Sequence, residues 1–313
     1  MASCGGSPGK EPAALTLERT ITLPNVSGRI DHLAIDLKHD RLFVAELGNG
    51  SVDMVDLARG IVAHRITGFK EPQGVAYLPD RDELAVASGG DGTVRFYRGA
   101  DAVPAGIVQL GEDADNLRVD PRNGRLVAGY GSGALAVIDP ATRTVVGRLM
   151  LPGHPEGFRL TDDTALINVP DHRTVVKGNI ATGATEAGWR ATHRLNFPMA
   201  FDPASNRAAT VYRWPARLVI FDAGTGAVAS DVATCGDADD VFFDMRRDRI
   251  MVSCGTGKVE VFARGTGSPR SLGTVATRAG ARTALFVPER DRLYVAVRAA
   301  AAAPAEIRIL RPN

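Results

Sequence analysis

Four acidic residues in this chain recur at a spacing that would let them share chemistry. Asp31, Asp115, Glu156 and Asp239 are separated by 84, 41 and 83 positions, multiples of a period near forty. Gln73, Phe197 and Arg282 fall at the same position in the intervening units, and His32, Gly74, Asn116, Gly157, Pro198, Asp240 and Thr283 each follow. If the fold brings such positions to one narrow axis, the carboxylates crowd. Crowded carboxylates take up protons, pair with a cation such as Arg282, or hold a metal ion. His32 follows one of them and His154 precedes another by two residues. Imidazole beside carboxylate is a ligand set for zinc, copper or a similar ion, and equally a general acid/base pair. The candidate ligands of a divalent metal are therefore Asp31, Asp115, Glu156 and Asp239, and the candidate proton carriers are His32 and His154. Gln73, Asn116, Arg213, Trp214 and Arg282 are the candidate ligand contacts. Among them Arg213 and Trp214, with Tyr212, form an aromatic and basic hairpin able to wall a pocket and meet an anion. No compact motif such as HExxH is present, so a metal site would rest on geometry across repeats. A wet channel entrance would show the same polar residue types with no ligand at all.

The elements that must position these residues are strands. A phrase returns seven times: an apolar strand, an Asp or Pro turn, a second strand, a Gly-rich hairpin, and a third strand ending in Asp. Its second-strand anchors are Leu42, Leu84, Leu126, Leu166, Ala208, Ile250 and Leu293, at intervals of 40 to 43 residues. A period this regular marks blades or arrays rather than separate domains. Apolar residues alternate or run for four to six positions between turn signals, which is strand patterning. Turns such as Asp120-Pro-Arg-Asn and Asp202-Pro-Ala-Ser preset the reversal through proline and through Asp side chains that bond their own backbone. Hairpins such as Gly48-Asn-Gly and Gly131-Ser-Gly supply positive φ. The last unit stops after its third strand, Glu306–Leu310, while an orphan strand, Leu17–Leu23, precedes the first. Together they complete one blade. The expected fold is all-β: a seven-bladed β-propeller of four-stranded antiparallel blades, the last closed by the N-terminal strand, over residues 15–313, with residues 1–14 as a leader or tether. In such a fold the segments entering the inner strands and the hairpins between second and third strands open on one face around the channel, the default pocket.

Composition narrows the partners. With 37 basic and 36 acidic residues the net charge is +1, and no run of Lys or Arg makes a nucleic-acid patch. No apolar stretch reaches the roughly 20 residues of a membrane-spanning helix. Gly89-Gly-Asp-Gly sits in a hairpin, with no following helix to cradle a phosphate. The cysteines, Cys4, Cys235 and Cys254, are odd in number. They imply no disulfide framework, and the later two read as small buried thiols, with pairing as the alternative.

Arg41-Leu-Phe-Val-Ala with Gly48-Asn-Gly-Ser-Val-Asp-Met-Val-Asp, and Ala134-Leu-Ala-Val-Ile-Asp-Pro-Ala-Thr-Arg-Thr-Val-Val-Gly, resemble the YVTN-type repeat of the YncE-like bacterial seven-bladed propellers. The resemblance runs from Leu17 to Pro312, and its motifs specify fold rather than chemistry. Blades 4 and 5 depart from it, with Pro170-Asp-His-Arg and Tyr212-Arg-Trp-Pro at their hairpins. The resemblance implies export. So does Cys4-Gly-Gly, which is similar to the start of a mature bacterial lipoprotein, with a lipid anchor at Cys4 and a periplasmic or cell-envelope location. The first functional expectation is a monomeric, exported, non-catalytic propeller that binds a small molecule, ion or partner protein at the channel face. The second is a metal-dependent lyase or hydrolase, since the ring resembles in kind those of propeller lactonases and of the streptogramin-cleaving lyase. The third is an assembly scaffold.

Overall fold

Seven sheets of four antiparallel strands make up the chain, in a computed structural model that describes residues 13–265 and 267–313. Blade 1 runs Leu33–Asp36, Arg41–Glu46, Ser51–Asp56 and Ile61–Thr67, and the pattern repeats to blade 7. Blade 7 takes Ala284–Val287, Arg292–Val297 and Ala305–Pro312 from the C-terminal end and its outermost strand, Leu15–Leu23, from the other. That strand is registered from Leu15 against Pro312 to Leu23 against Ala305. It begins two residues earlier than the pattern suggested, because Leu15 is buried between blades 6 and 7. Residues 1–12 of the proposed tether, Cys4 among them, lie outside the described residues, while Ala14 at its end is buried against blades 6 and 7. Among the described residues no helix is long and apolar enough to cross a membrane.

The second strand of each blade is buried on both faces, as all six residues of Arg41–Glu46 show, and apolar clusters fill the spaces between neighbouring blades. The turns on the face opposite the hairpins work as their residue types require. Asp36, Asp120, Asp202 and Asp244 each accept a backbone N–H two residues on, an Asx turn. The same face carries arginines that tie one blade to the next. Arg41 reaches both Asp36 and Asp82, Arg122 bonds Asp163 at 2.7 Å, and Arg247 bonds Asp291 at 2.7 Å.

Three inner strands start earlier than expected, as Pro72–Leu78, Arg194–Asp202 and Ala238–Asp244, and each is irregular near its start. The register slips between Pro72 and Val75, between Asn196 and Met199, and between Ala238 and Asp240. A bulge leaves one residue unpaired and re-aims it, and here the slips fall on the positions that surround the channel. At Gly74 and Gly157 the backbone runs against the next blade's entering segment, so a Cβ would collide with the carbonyl of Asp115 or of Phe197.

The expectation of two buried thiols is corrected. Cys235 and Cys254 form a disulfide, with Cα atoms 5.9 Å apart. Ala238 pairs with Cys254, so the segment entering blade 6 lies along the end of its second strand, within bridging distance.

Candidate functional site at the channel mouth

The hairpins and the entering segments share one face, because each hairpin glycine bonds back to the entering segment. Gly48 N–H donates to Arg29 O at 2.9 Å, Gly89 to Glu71 at 2.9 Å, Gly131 to Glu112 at 3.0 Å, and Gly255 to Asp237 at 2.8 Å. These bonds hold the ring residues at the top of the channel. A small axial cavity of about 30 Å³ lies there, lined by Asp31, His32, Asp115, Asn116, Glu156 and Asp239. Residues up to 208 positions apart thus share one wall. A volume of that size accepts one or two waters or a single polar group.

The cavity is a mixed-charge site rather than an acidic one. Asp31 is met by Arg29 at 2.7 Å and by His32 at 3.8 Å. Asp239 is bonded by Arg213, whose Nε also donates to Ala238 O at 3.0 Å and whose guanidinium lies over the Phe197 ring at 3.8 Å. Arg282 pairs with Asp237 at 2.8 Å and stands 3.8 Å from Asp239. His154 holds Nδ1 2.7 Å from Gly131 O and Nε2 3.6 Å from Asp115. Two buried carboxylate oxygens have no hydrogen-bond partner: Asp31 Oδ2, near Arg29 but outside bonding geometry, and Asp239 Oδ2.

Burial controls the protonation of this ring. It pushes the Asp31 carboxyl up to about 7, Arg29 opposing it and Asp115 and Asp239 adding to it. Glu156 is raised well above the ordinary range, by burial first and then by Asp115 and Asp239. Asp240, also in the cavity wall, is raised by burial to about 6. Asp115 goes the other way. Burial would raise it, but the neighbouring His154 imidazole and the charge of His32 hold it below its usual value. His154 is correspondingly raised to about 9, its burial outweighed by Asp115 and Gly131. Acid and base groups of opposite tendency thus stand side by side, an arrangement that can hold or exchange protons with a bound polar group.

Among the nominated residues His154, Arg213 and Arg282 do not line the cavity but stand behind its carboxylates, and two others lie away from it. Gln73 donates to Asp113 at 3.2 Å on the rim. Trp214 is 69% exposed and pairs with Arg194. Successive side chains of a strand project to opposite faces, so Arg213 faces blade 6 while Tyr212 and Trp214 do not, and Tyr212 is wholly buried. His193 is bonded to Asp231 at 2.7 Å and takes no part in the cavity. Three basic residues of the cavity were not singled out from the sequence: Arg29, Arg118 and Arg159. The signal for Arg118 and Arg159 was available three positions past the ring residue, where the units carry Ala34, Ala76, Arg118, Arg159, Ala200, Phe242 and Leu285. Two adjacent arginines break an otherwise apolar column.

The ring acids do not form a compact ligand group among the described residues. Among the described residues, the group of three His, Cys, Asp or Glu whose ligand atoms all lie within 4.8 Å of one another is Asp36, His39 and Asp82. It sits on the opposite face, where Arg41 donates to both aspartates and supplies the positive charge. The ring carboxylates do not converge in this way, and Arg29, Arg213 and Arg282 already neutralise Asp31 and Asp239.

No family model and no curated protein matches this chain. Solved structures do. A chain from the crystal structure of a mitotic checkpoint complex superposes with a TM-score of 0.80 over 99% of this chain and 96% of that chain, at 17% identity. The protein is a seven-bladed β-propeller. Since 1787 solved chains match it, the likeness establishes the fold and leaves function to the site.

Proposed function

We propose that this propeller is a binding protein whose channel mouth holds a polar group, presented by a small molecule or a partner protein. The observation that carries the reading is Asp239 Oδ2, a buried carboxylate oxygen with no hydrogen-bond partner, in a cavity walled by ionisable groups. A buried acceptor left unsatisfied costs about 1–3 kcal/mol. A ligand bringing N–H or O–H donors, such as an ammonium or a hydroxyl, offsets that cost. The cavity admits only such a head group, so the rest of the ligand would rest on the rim, against Arg213, Arg282 and Asp237.

Catalysis by a metal-dependent lyase or hydrolase ranks below this, because the ring donors are dispersed and neutralised by arginine. Export to an oxidising compartment belongs to the same proposal. It is supported by the Cys235–Cys254 disulfide, since such bonds persist outside the reducing cytosol, and by the resemblance to YncE-like propellers.

Calorimetric titration with a panel of small amines and polyols, among them ethanolamine, glycerol and glucosamine, tests the reading. At least one should bind saturably, and Asp239→Asn should weaken it by about tenfold or more. No binding across the panel, or equal affinity in the variant, would overturn it.

A further inference from the structure

The other end of the channel holds a second site of different chemistry. Arg159 lines the axial cavity and also a separate pocket of about 200 Å³ that opens beneath it. The pocket wall is aromatic and apolar: Phe201, Phe242, Phe243, Phe286, Met245 and Pro288. Phe242 and Phe286 lie tilted, with centroids 6.4 Å apart, and Met245, 52% exposed, forms the rim. Asp202 borders it too, but its carboxylate is engaged by Ser205, Arg264 and the Ala204 N–H.

Among the described residues no carboxylate forms a salt bridge with Arg159, and the charge of Asp240 in the axial cavity only partly offsets its burial. Arg159 Nη1 donates to Phe158 O at 3.0 Å, and its channel neighbour Arg118 is likewise bonded to Leu117 O and Asn116 rather than to a carboxylate. Burial, and then the charge of Arg118, push Arg159 down to about 9. A guanidinium held against its neighbour in this way is stabilised by any anion that reaches it. An apolar cavity of about 150 Å³ holds a benzene ring, so the pocket has room for one ring and a small anionic group.

We propose that this pocket binds a small aromatic carboxylate, with its ring against the phenylalanines and its carboxylate on Arg159. The pocket shares Arg159 with the axial cavity, but its aromatic wall is its own and the proposal does not rest on the channel-mouth reading.

Ligand-observed NMR titration with benzoate, with benzyl alcohol and benzylamine as controls, tests the assignment on the full chain. Benzoate should bind saturably and more tightly than either control. Arg159→Met, which keeps the apolar stem, should weaken it by about tenfold or more, and Met245→Asp should weaken it through like charge at the rim. Asp239→Asn, at the channel mouth, should leave benzoate affinity unchanged. Failure of benzoate to bind, equal affinity in Arg159→Met, or a loss caused by Asp239→Asn would each overturn the proposal. If circular dichroism shows Arg159→Met unfolded, Met245→Asp decides: unchanged affinity there overturns it as well.

Discussion

His154 illustrates how the ring fixes charge at single residues. Buried imidazole ordinarily titrates low, yet the Asp115 carboxylate and the Gly131 carbonyl raise this one from 6.5 to about 9. A histidine raised on folding contributes stability that is complete below its unfolded pKa and is lost as pH rises through the folded one. His154→Gln should therefore be less stable than wild type below about pH 6.5, with the difference closing above about pH 9. Urea midpoints across that range measure it, and a difference that does not change with pH would contradict the pairing. The acidic members of the site were legible in the sequence because each unit places its ring residue at the same point of the repeat. Among the basic members Arg213 and Arg282 were legible too, but Arg29, Arg118 and Arg159 were not. Arg118 and Arg159 sit inside short strands, where an isolated arginine reads as a solvent-facing residue, and only closure of the ring turns that face into a channel. Trp214 misled for a related reason, since adjacency to Arg213 in sequence means opposite projection in a strand.

At the scale of elements, the strand Leu15–Leu23 carries the closure. It places Leu15, Ile21 and Leu23 in the core at 2%, 1% and 0% exposure. Burying three such side chains contributes roughly 6 kcal/mol, comparable to the whole net stability of many domains, about 5–15 kcal/mol. Deleting residues 1–24 should abolish the cooperative thermal transition or lower it by more than about 10 °C. An unchanged transition in a scanning calorimeter would contradict the topology. The strand was visible because the last unit was short by one and an orphan preceded the first. The early starts of Pro72–Leu78, Arg194–Asp202 and Ala238–Asp244 were not visible. A bulge interrupts the alternation that marks a strand, and the pattern was read only from the point where alternation resumed. Pairing of Cys235 with Cys254 was the second of two readings in the sequence, because the closeness of Ala238 to Cys254 depends on register beside a bulge.

For the whole molecule, the fold converts a period near forty residues into a cavity wall. Each blade contributes a small, similar element, and the chemistry comes from differences between blades at equivalent positions: carboxylates in four, guanidinium groups beside them, and a phenylalanine at Phe197 under Arg213. One end of the channel becomes a polar mouth and the other an aromatic pocket, with Arg159 between them. The YVTN-like motifs specify the scaffold and are silent about both ends.

The account rests on Asp31, Asp115 and Asp239 acting as one electrostatic unit despite their distance along the chain. Carbon-13 NMR titration of the aspartate carboxyls, in wild type and in Asp115→Asn and Asp239→Asn, measures this directly. Asp31 should titrate near 7 in wild type and move lower when either neighbour is neutralised. An Asp31 that titrates near its unperturbed 3.8, unmoved by both substitutions, would contradict it.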